Sequence, residues 1–286
     1  MKPWFALPLL LALGACAQAP ASPPHVRDQS AAQYLAQHGA RLEVTLPAGP
    51  WVDAAAYVDP KQARAAQLST EQTANNLRGN GLLGAVITRA VDAQSGLGGL
   101  QRRAGAAALA DARPLAALLD SQPADTRFTA LYNQAARLAG LPAGSGQVTA
   151  RLLITPHVTL SADRGHLTLR TDLRLEDIAG GVLYAARIEA TSASLRGCGN
   201  DCVDAGGLEP ARVDQALQAC AEQALALAMV DLQGGPASPE RTLRYSLDGW
   251  REVERGRLLP TAPGYLRYQA LDGTLKVSPA VLEAGL

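Results

Sequence analysis

The stretch GQVTARLLITPHVTLSADRGHLTLRTDLRLEDIAGGVLYAARIEATS, residues 146–192, constrains the fold more than any other part of the chain. Polar and apolar residues alternate through it in three runs, broken by the turn clusters Ala162-Asp163-Arg164-Gly165 and Ala179-Gly180-Gly181. In the middle run Leu167, Leu169, Leu173 and Leu175 share one face, while His166, Thr168, Arg170, Asp172, Arg174 and Glu176 share the other. Successive side chains of a strand point to opposite faces, so this pattern predicts antiparallel strands buried on one side. Val182, Tyr184, Ala186 and Ile188 give the third run its inward face. A three-stranded meander follows. A helical pattern from Pro210 to about Leu232, with Val213, Leu217, Cys220, Ala224 and Leu227 in one stripe, supplies a cover for that face, and Gly234-Gly235-Pro236 stops it.

The part before the meander reads as mainly helical. Two short strand candidates, at 41–46 and in WVDAAAYV (51–58), precede a helix opened by Asp59-Pro60 and running to Arg78. Further helical patterns lie at about 82–94, 98–120 and 126–139, the last carrying Phe128, Leu131, Tyr132, Ala135 and Leu138 in one stripe. After the covering helix, Asp248-Gly249 and Asp272-Gly273 are hairpin signals flanked by candidate strands, which extend the main sheet or form a small unit of their own. The expected fold class is therefore α+β: a helical N-terminal half, an antiparallel three-stranded meander covered by a helix, and a short β-rich C-terminal extension. The folded part divides into an α+β domain over 41–235 and a β-rich extension over 236–286. Aromatic residues are only 4% of the chain against 48% hydrophobic residues overall, so the core must rest on Ala, Leu and Val. The 26 basic and 26 acidic residues balance, which leaves no electrostatic footprint for nucleic acid.

The address is written at the start, MKPWFALPLLLALGACAQAP. The apolar run from Trp4 to Leu13 is about half of the roughly 20 residues that a spanning helix needs, so it reads as a secretory signal. Leu13-Gly14-Ala15-Cys16 resembles the lipobox of bacterial lipoproteins. That resemblance implies cleavage before Cys16, a thioether-linked diglyceride on its thiol and acylation of the new amino group. Several acyl chains, at about 0.8 kcal/mol per buried CH₂, make such an anchor stable where one chain is marginal. Ala17, where inner-membrane retention favours Asp, resembles outer-membrane sorting, and AQAPASPPHVRDQS reads as a tether, so that 1–15 is expected as the signal peptide, 16–40 as the lipidated tether and 41–235 as a periplasmic domain. With its glycine-rich GLLGAVI helix, meander and closing helix, the chain resembles a group of uncharacterised lipoproteins of GC-rich Gram-negative bacteria. More loosely it is similar to periplasmic lipoproteins that regulate cell-wall synthases or serve secretion machines. Neither resemblance carries catalytic residues over.

RGNGLLGAVITRAVDAQSGLGGL, residues 78–100, contains the spacing G-x-G-x-x-G at Gly79, Gly81 and Gly84. A dinucleotide cradle needs a buried strand leading into the glycines, whereas EQTANNLR before them is polar, so no nucleotide is expected. Arg89 and Asp92 limit the charge-free part to Gly79–Thr88, too short to span a bilayer. A closely packed helix fits best, and contact of residues 79–100 with the membrane surface stays open.

Beyond Cys16 the cysteines are Cys198 and Cys202, four apart in the loop RGCGNDCVD, and Cys220 on the covering helix. In an oxidising periplasm a Cys198–Cys202 disulfide is the favoured pairing, with Cys220 a small buried hydrophobe; pairing of Cys220 with either remains the alternative. No spacing resembles a zinc knuckle, and no metal or cofactor is expected. His157 and His166 flank the first turn, with Asp163 between them, and read as polar residues of a solvated hairpin rather than as an acid–base pair. No Gly-x-Ser-x-Gly elbow, His-Glu-x-x-His or Cys–His arrangement is present. The resulting expectation is a non-enzymatic outer-membrane lipoprotein whose partners are the membrane, through acylated Cys16, and a cell-envelope protein. An envelope hydrolase with a site assembled from distant residues is the alternative.

Overall fold

The computed structural model describes residues 25–56, 97–120, 123–142, 150–196, 208–235, 238–260 and 262–282. Three long strands carry the alternation: β4 (Ala150–Leu160), β5 (Leu167–Glu176) and β6 (Val182–Thr191), paired antiparallel through both hairpins. Leu167, Leu169, Leu173 and Leu175 are all buried on one face, with Ile154, Val158, Tyr184, Ala186 and Ile188 beside them. Each fully buried leucine of this set contributes about 1.5–3 kcal/mol of transfer free energy. Val182 departs from the expected inward face and is 37% exposed. The register shifts between Leu175 and Glu176, and Val182 sits at the mouth of the turn opposite Glu176.

Around these strands the fold class differs from the expected α+β arrangement of a helical N-terminal half and a three-stranded meander. The described residues form a mixed α/β fold built on one eleven-stranded, mostly antiparallel sheet with four helices. The N-terminal part contributes strands. β2 (Ala40–Val44) and β3 (Val52–Ala54) lie parallel to the first and second halves of β4, and β1 (Val26–Arg27) pairs antiparallel with the start of β6. These strands are two to five residues long, too short for a two-residue period to show in sequence. At the other end, β7 (Glu240–Leu247), β8 (Trp250–Leu258), β9 (Leu266–Ala270) and β10 (Leu275–Ser278) run on as antiparallel neighbours. β10 then joins β6 in parallel, Leu275 opposite Ile188 and Val277 opposite Ala190, and β11 (Val281–Leu282) closes the far edge on β7. The C-terminal strands thus extend the main sheet.

Helices cover one face. α1 (Ala31–His38) buries Ala31 and Leu35, and so lies folded on the core within the segment expected as tether. α2 (Leu97–Leu119) buries Leu115 and Leu119, and α3 (Ala124–Leu138) buries Phe128, Leu131, Tyr132 and Ala135. Leu138, the last of the expected stripe, is 65% exposed because α3 ends there. α4 (Pro210–Gln233) buries its whole stripe of Val213, Leu217, Cys220, Ala224 and Leu227. Arg127 ties three helices, donating to the Leu118 and Leu119 carbonyls that end α2 and pairing with Asp214 of α4 at 2.5 Å. The helix from Asp59-Pro60, the 82–94 pattern and nearly all of 78–100 lie outside the described residues, as do Cys16, Cys198 and Cys202.

A second, smaller core sits on the opposite face of the same sheet. Leu243, Tyr245, Leu266, Tyr268 and Ala280 make it up. The sheet therefore buries one face against helices at β4–β6 and β10, where Leu275 and Val277 join the main core, and the other within its own curl at β7–β9. Gly256 marks the tightest point: a Cβ there would lie 2.5 Å from the Gln269 carbonyl oxygen and 3.1 Å from the Tyr268 ring, so only glycine lets β8 and β9 approach so closely.

Candidate functional site

The curl places a cavity of about 680 Å³ on the sheet face away from the helices. The pairing registers show how five strands build its floor and wall. Glu189 of β6 stands opposite Lys276 of β10, Lys276 opposite Tyr268 of β9, and Tyr245 of β7 opposite Glu252 of β8. With a period of two, Glu189 and Thr191 share a face, as do Lys276 and Ser278, and Glu252 and Glu254. All of these line the cavity.

The hairpin between β7 and β8 forms its lip. Asp248 and Gly249 both have positive φ, 46° and 81°, the two-residue turn that the Asp-Gly dipeptide favours. From this turn the Asp248 carboxylate reaches His166, which precedes β5, at 3.2 Å from Nε2. The other ring nitrogen, Nδ1, lies 3.1 Å from the Ser192 carbonyl oxygen. The contact clasps the hairpin tip to the meander.

Inside, one hydrogen-bonded network crosses four strands, β7 to β10. Lys276 donates to both oxygens of Glu254, at 3.0 and 3.1 Å, and Glu189 lies 3.7 Å from the same ammonium. Burial works against the Lys276 charge, but the hydrogen bonds and charge of Glu254 outweigh it, and its pKa is raised above the ordinary lysine value. The Tyr245 hydroxyl lies 3.4 Å from Glu254 and 3.1 Å from the Tyr268 hydroxyl. Burial pushes both phenols up, Tyr268 the more strongly, with the Tyr245 hydrogen bond and the Glu254 charge adding to it. Both stay neutral donors at physiological pH. At the rim, burial of Asp163 is more than offset by hydrogen bonds from Ser161 and the Gly165 N–H and by the Arg196 charge, so its carboxyl is held below the usual range. Ser278 is 7% exposed, and its Oγ has no hydrogen-bond partner.

The structure separates the two histidines that the sequence places beside one turn. Both are buried rather than solvated: His157 is 9% exposed and meets Asp53 of β3 at 2.9 Å, while His166 is 7% exposed and meets Asp248. Each has its own carboxylate from a distant segment, and among the described residues no three side chains are grouped to hold a metal ion. Cys220 is a free, buried thiol facing the sheet, pushed up to about 12 by burial. The sequence reading missed Tyr245, Glu254, Tyr268, Lys276 and Ser278. The alternation of Leu243, Tyr245 and Leu247 is the one local signal that could have set them on an inner face.

A second cavity, of about 440 Å³, lies on the helix side where the chain enters the fold. Asp231 of α4, buried there, accepts from His25 at 2.7 Å and has Arg27 at 3.6 Å. These contacts fasten the N-terminal segment to the helix layer and neutralise a buried carboxylate.

The chain matches no family model, no curated protein and no solved structure. Among the described residues no helix is long and apolar enough to cross a membrane.

Proposed function

We propose that the chain is a lipid-anchored cell-envelope protein that works by binding and not by catalysis. In this reading acylated Cys16 holds it to the outer membrane at the periplasmic face, and the body takes a protein partner at the cavity on the sheet's open face. The Leu13-Gly14-Ala15-Cys16 sequence supports the anchor. Eight residues separate Cys16 from His25, and a fully extended linker of that length spans at most about 30 Å, so the body works close to the bilayer. The cavity carries the binding half: it is concave, lined by tyrosine rings with a few convergent polar groups, and opens away from the face on which His25 is fastened.

A hydrolase reading has one observation in its favour, the meeting of His166 with Asp248 beside the cavity. Both ring nitrogens are already engaged, and among the described residues no hydroxyl or thiol is hydrogen-bonded to the ring, so no activated nucleophile is assembled. A photo-crosslinking residue placed at Ala162, an exposed residue on the cavity lining, in the full-length protein in cells tests the binding reading. One discrete envelope adduct is expected from position 162, and none from Leu138 on the helix side. Identical adducts to abundant proteins from both positions would refute it.

A further inference from the structure

We infer that the cavity is a receptor for a single protonated amine or guanidinium group carried on an apolar stem. The inference rests on the binding role proposed above for this cavity and adds the chemistry of what enters it.

The first argument is the imbalance of charge. Glu189, Glu252 and Glu254 line the cavity with one lysine, Lys276, and with His166, whose ring faces Asp248 at the lip. The lysine is committed: Glu254 takes it at both oxygens, and Glu189 stands farther off, at 3.7 Å. Glu252 makes no ion pair among the described residues, and Arg170, opposite Glu189 in the strand register, makes none with it. Asp163 at the rim is answered by Arg196 and needs no ligand. Glu252 is thus left for an incoming cation, with Glu189 held only loosely by Lys276 at 3.7 Å and by the Arg187 charge, and an anion would meet net repulsion.

Unmet acceptors give the second, independent argument. The Ser278 Oγ is buried and unpartnered on the same strand face as Lys276. Tyr268 and Tyr245 share one hydrogen bond between their hydroxyls, and Tyr245 lies within reach of Glu254, which leaves lone pairs on both phenol oxygens. An ammonium or guanidinium only donates, so it matches a site rich in acceptors. A sugar or neutral amide needs protein donors as well, and the strongest donor here, Lys276, is already engaged. The Tyr245 ring and Leu247 supply an apolar wall for a stem, and an aromatic face attracts a cation placed over it.

The same chemistry comes from a small free diamine or from a Lys or Arg side chain of the partner. Calorimetric titration of the full-length protein in detergent separates them, using 1,5-diaminopentane, N-acetyl-lysine amide, N-acetyl-arginine amide, the uncharged N-acetyl-norleucine amide and the dianion glutarate. The cations are expected to bind at least about tenfold more tightly than norleucine amide, and glutarate not at all. Preference for the diamine indicates a free amine as the natural occupant, and preference for either amino-acid amide indicates a partner's side chain. Glu252→Gln, an exposed position whose change leaves thermal unfolding unaltered, should weaken cation binding about tenfold, and Glu189→Gln serves as a second probe of the same charge. Equal binding of norleucine amide, tighter binding of glutarate, or cation binding unmoved by both substitutions would overturn the inference. Amines that bind while position 162 traps no envelope protein sink the partner reading alone. A trapped partner with no amine binding sinks this inference alone.

Discussion

The docking of α3 on the meander turns on one buried hydrogen bond, Tyr132 Oη to Thr171 Oγ1 at 2.6 Å, between side chains that are both 0% exposed. Burial raises the Tyr132 pKa, so the phenol keeps its proton and the pair exchanges one hydrogen bond out of reach of water. Tyr132→Phe keeps the ring but leaves the Thr171 hydroxyl buried without a partner, at a cost of about 1–3 kcal/mol. Thr171→Val orphans the phenol and costs a similar amount. The double variant orphans neither group, so its loss should fall short of the sum of the singles by about 0.5–3 kcal/mol. At roughly 2–4 °C per kcal/mol for a domain of about this size, each single substitution lowers Tm by several degrees. Denaturant unfolding of the four proteins measures the cycle. Additive losses, or a neutral Tyr132→Phe, would show that this face of α3 does not lie on β5.

Three further outcomes follow from the same structure. Gly256→Ala should lower stability by about 1–3 kcal/mol, because the new methyl meets the Gln269 carbonyl at 2.5 Å; an unchanged Tm would mean that β8 and β9 are not so closely apposed. Cys220, buried with its pKa pushed up to about 12, should resist alkylation at pH 8 until the protein unfolds, and peptide mapping that finds it modified in the native state would contradict its burial. Burial of Asp53 is outweighed by the hydrogen bond and charge of His157, so its folded pKa lies below 3.8. A depressed carboxyl stabilises the fold above its unfolded pKa and loses that contribution as pH falls through the folded value. Asp53→Asn should therefore cost less than about 1 kcal/mol at neutral pH, since the carboxylate is half-exposed, and the gap should close below pH 3.8; a gap that persists in acid would refute the ion pair.

What could be read from sequence was what repeats within a short window. The leucines of β5 and the stripes of α3 and α4 declare themselves because each residue's neighbours at a spacing of two or of three to four share its fate. What was hidden is non-local. His157 finds its carboxylate 104 positions away, on a strand of three residues, and His166 finds its own on a hairpin tip, so both looked like solvated turn residues. The parallel pairing of β10 with β6 joins segments that no turn connects, and it carries the C-terminal strands into the main sheet. The cavity depends on that joint, since Lys276 and Glu189 face each other only through it. Inner faces at β7–β9 also lie opposite to those at β4–β6, so a single inside–outside assignment along the chain could not foresee two cores on one sheet.

Intact mass of the protein extracted from cell membranes bears most directly on the account. A polypeptide starting at Cys16, heavier by a diacylglyceryl group and one amide-linked acyl chain, is the predicted result. Recovery of an unacylated chain in the soluble fraction, or one processed at another residue, would contradict it.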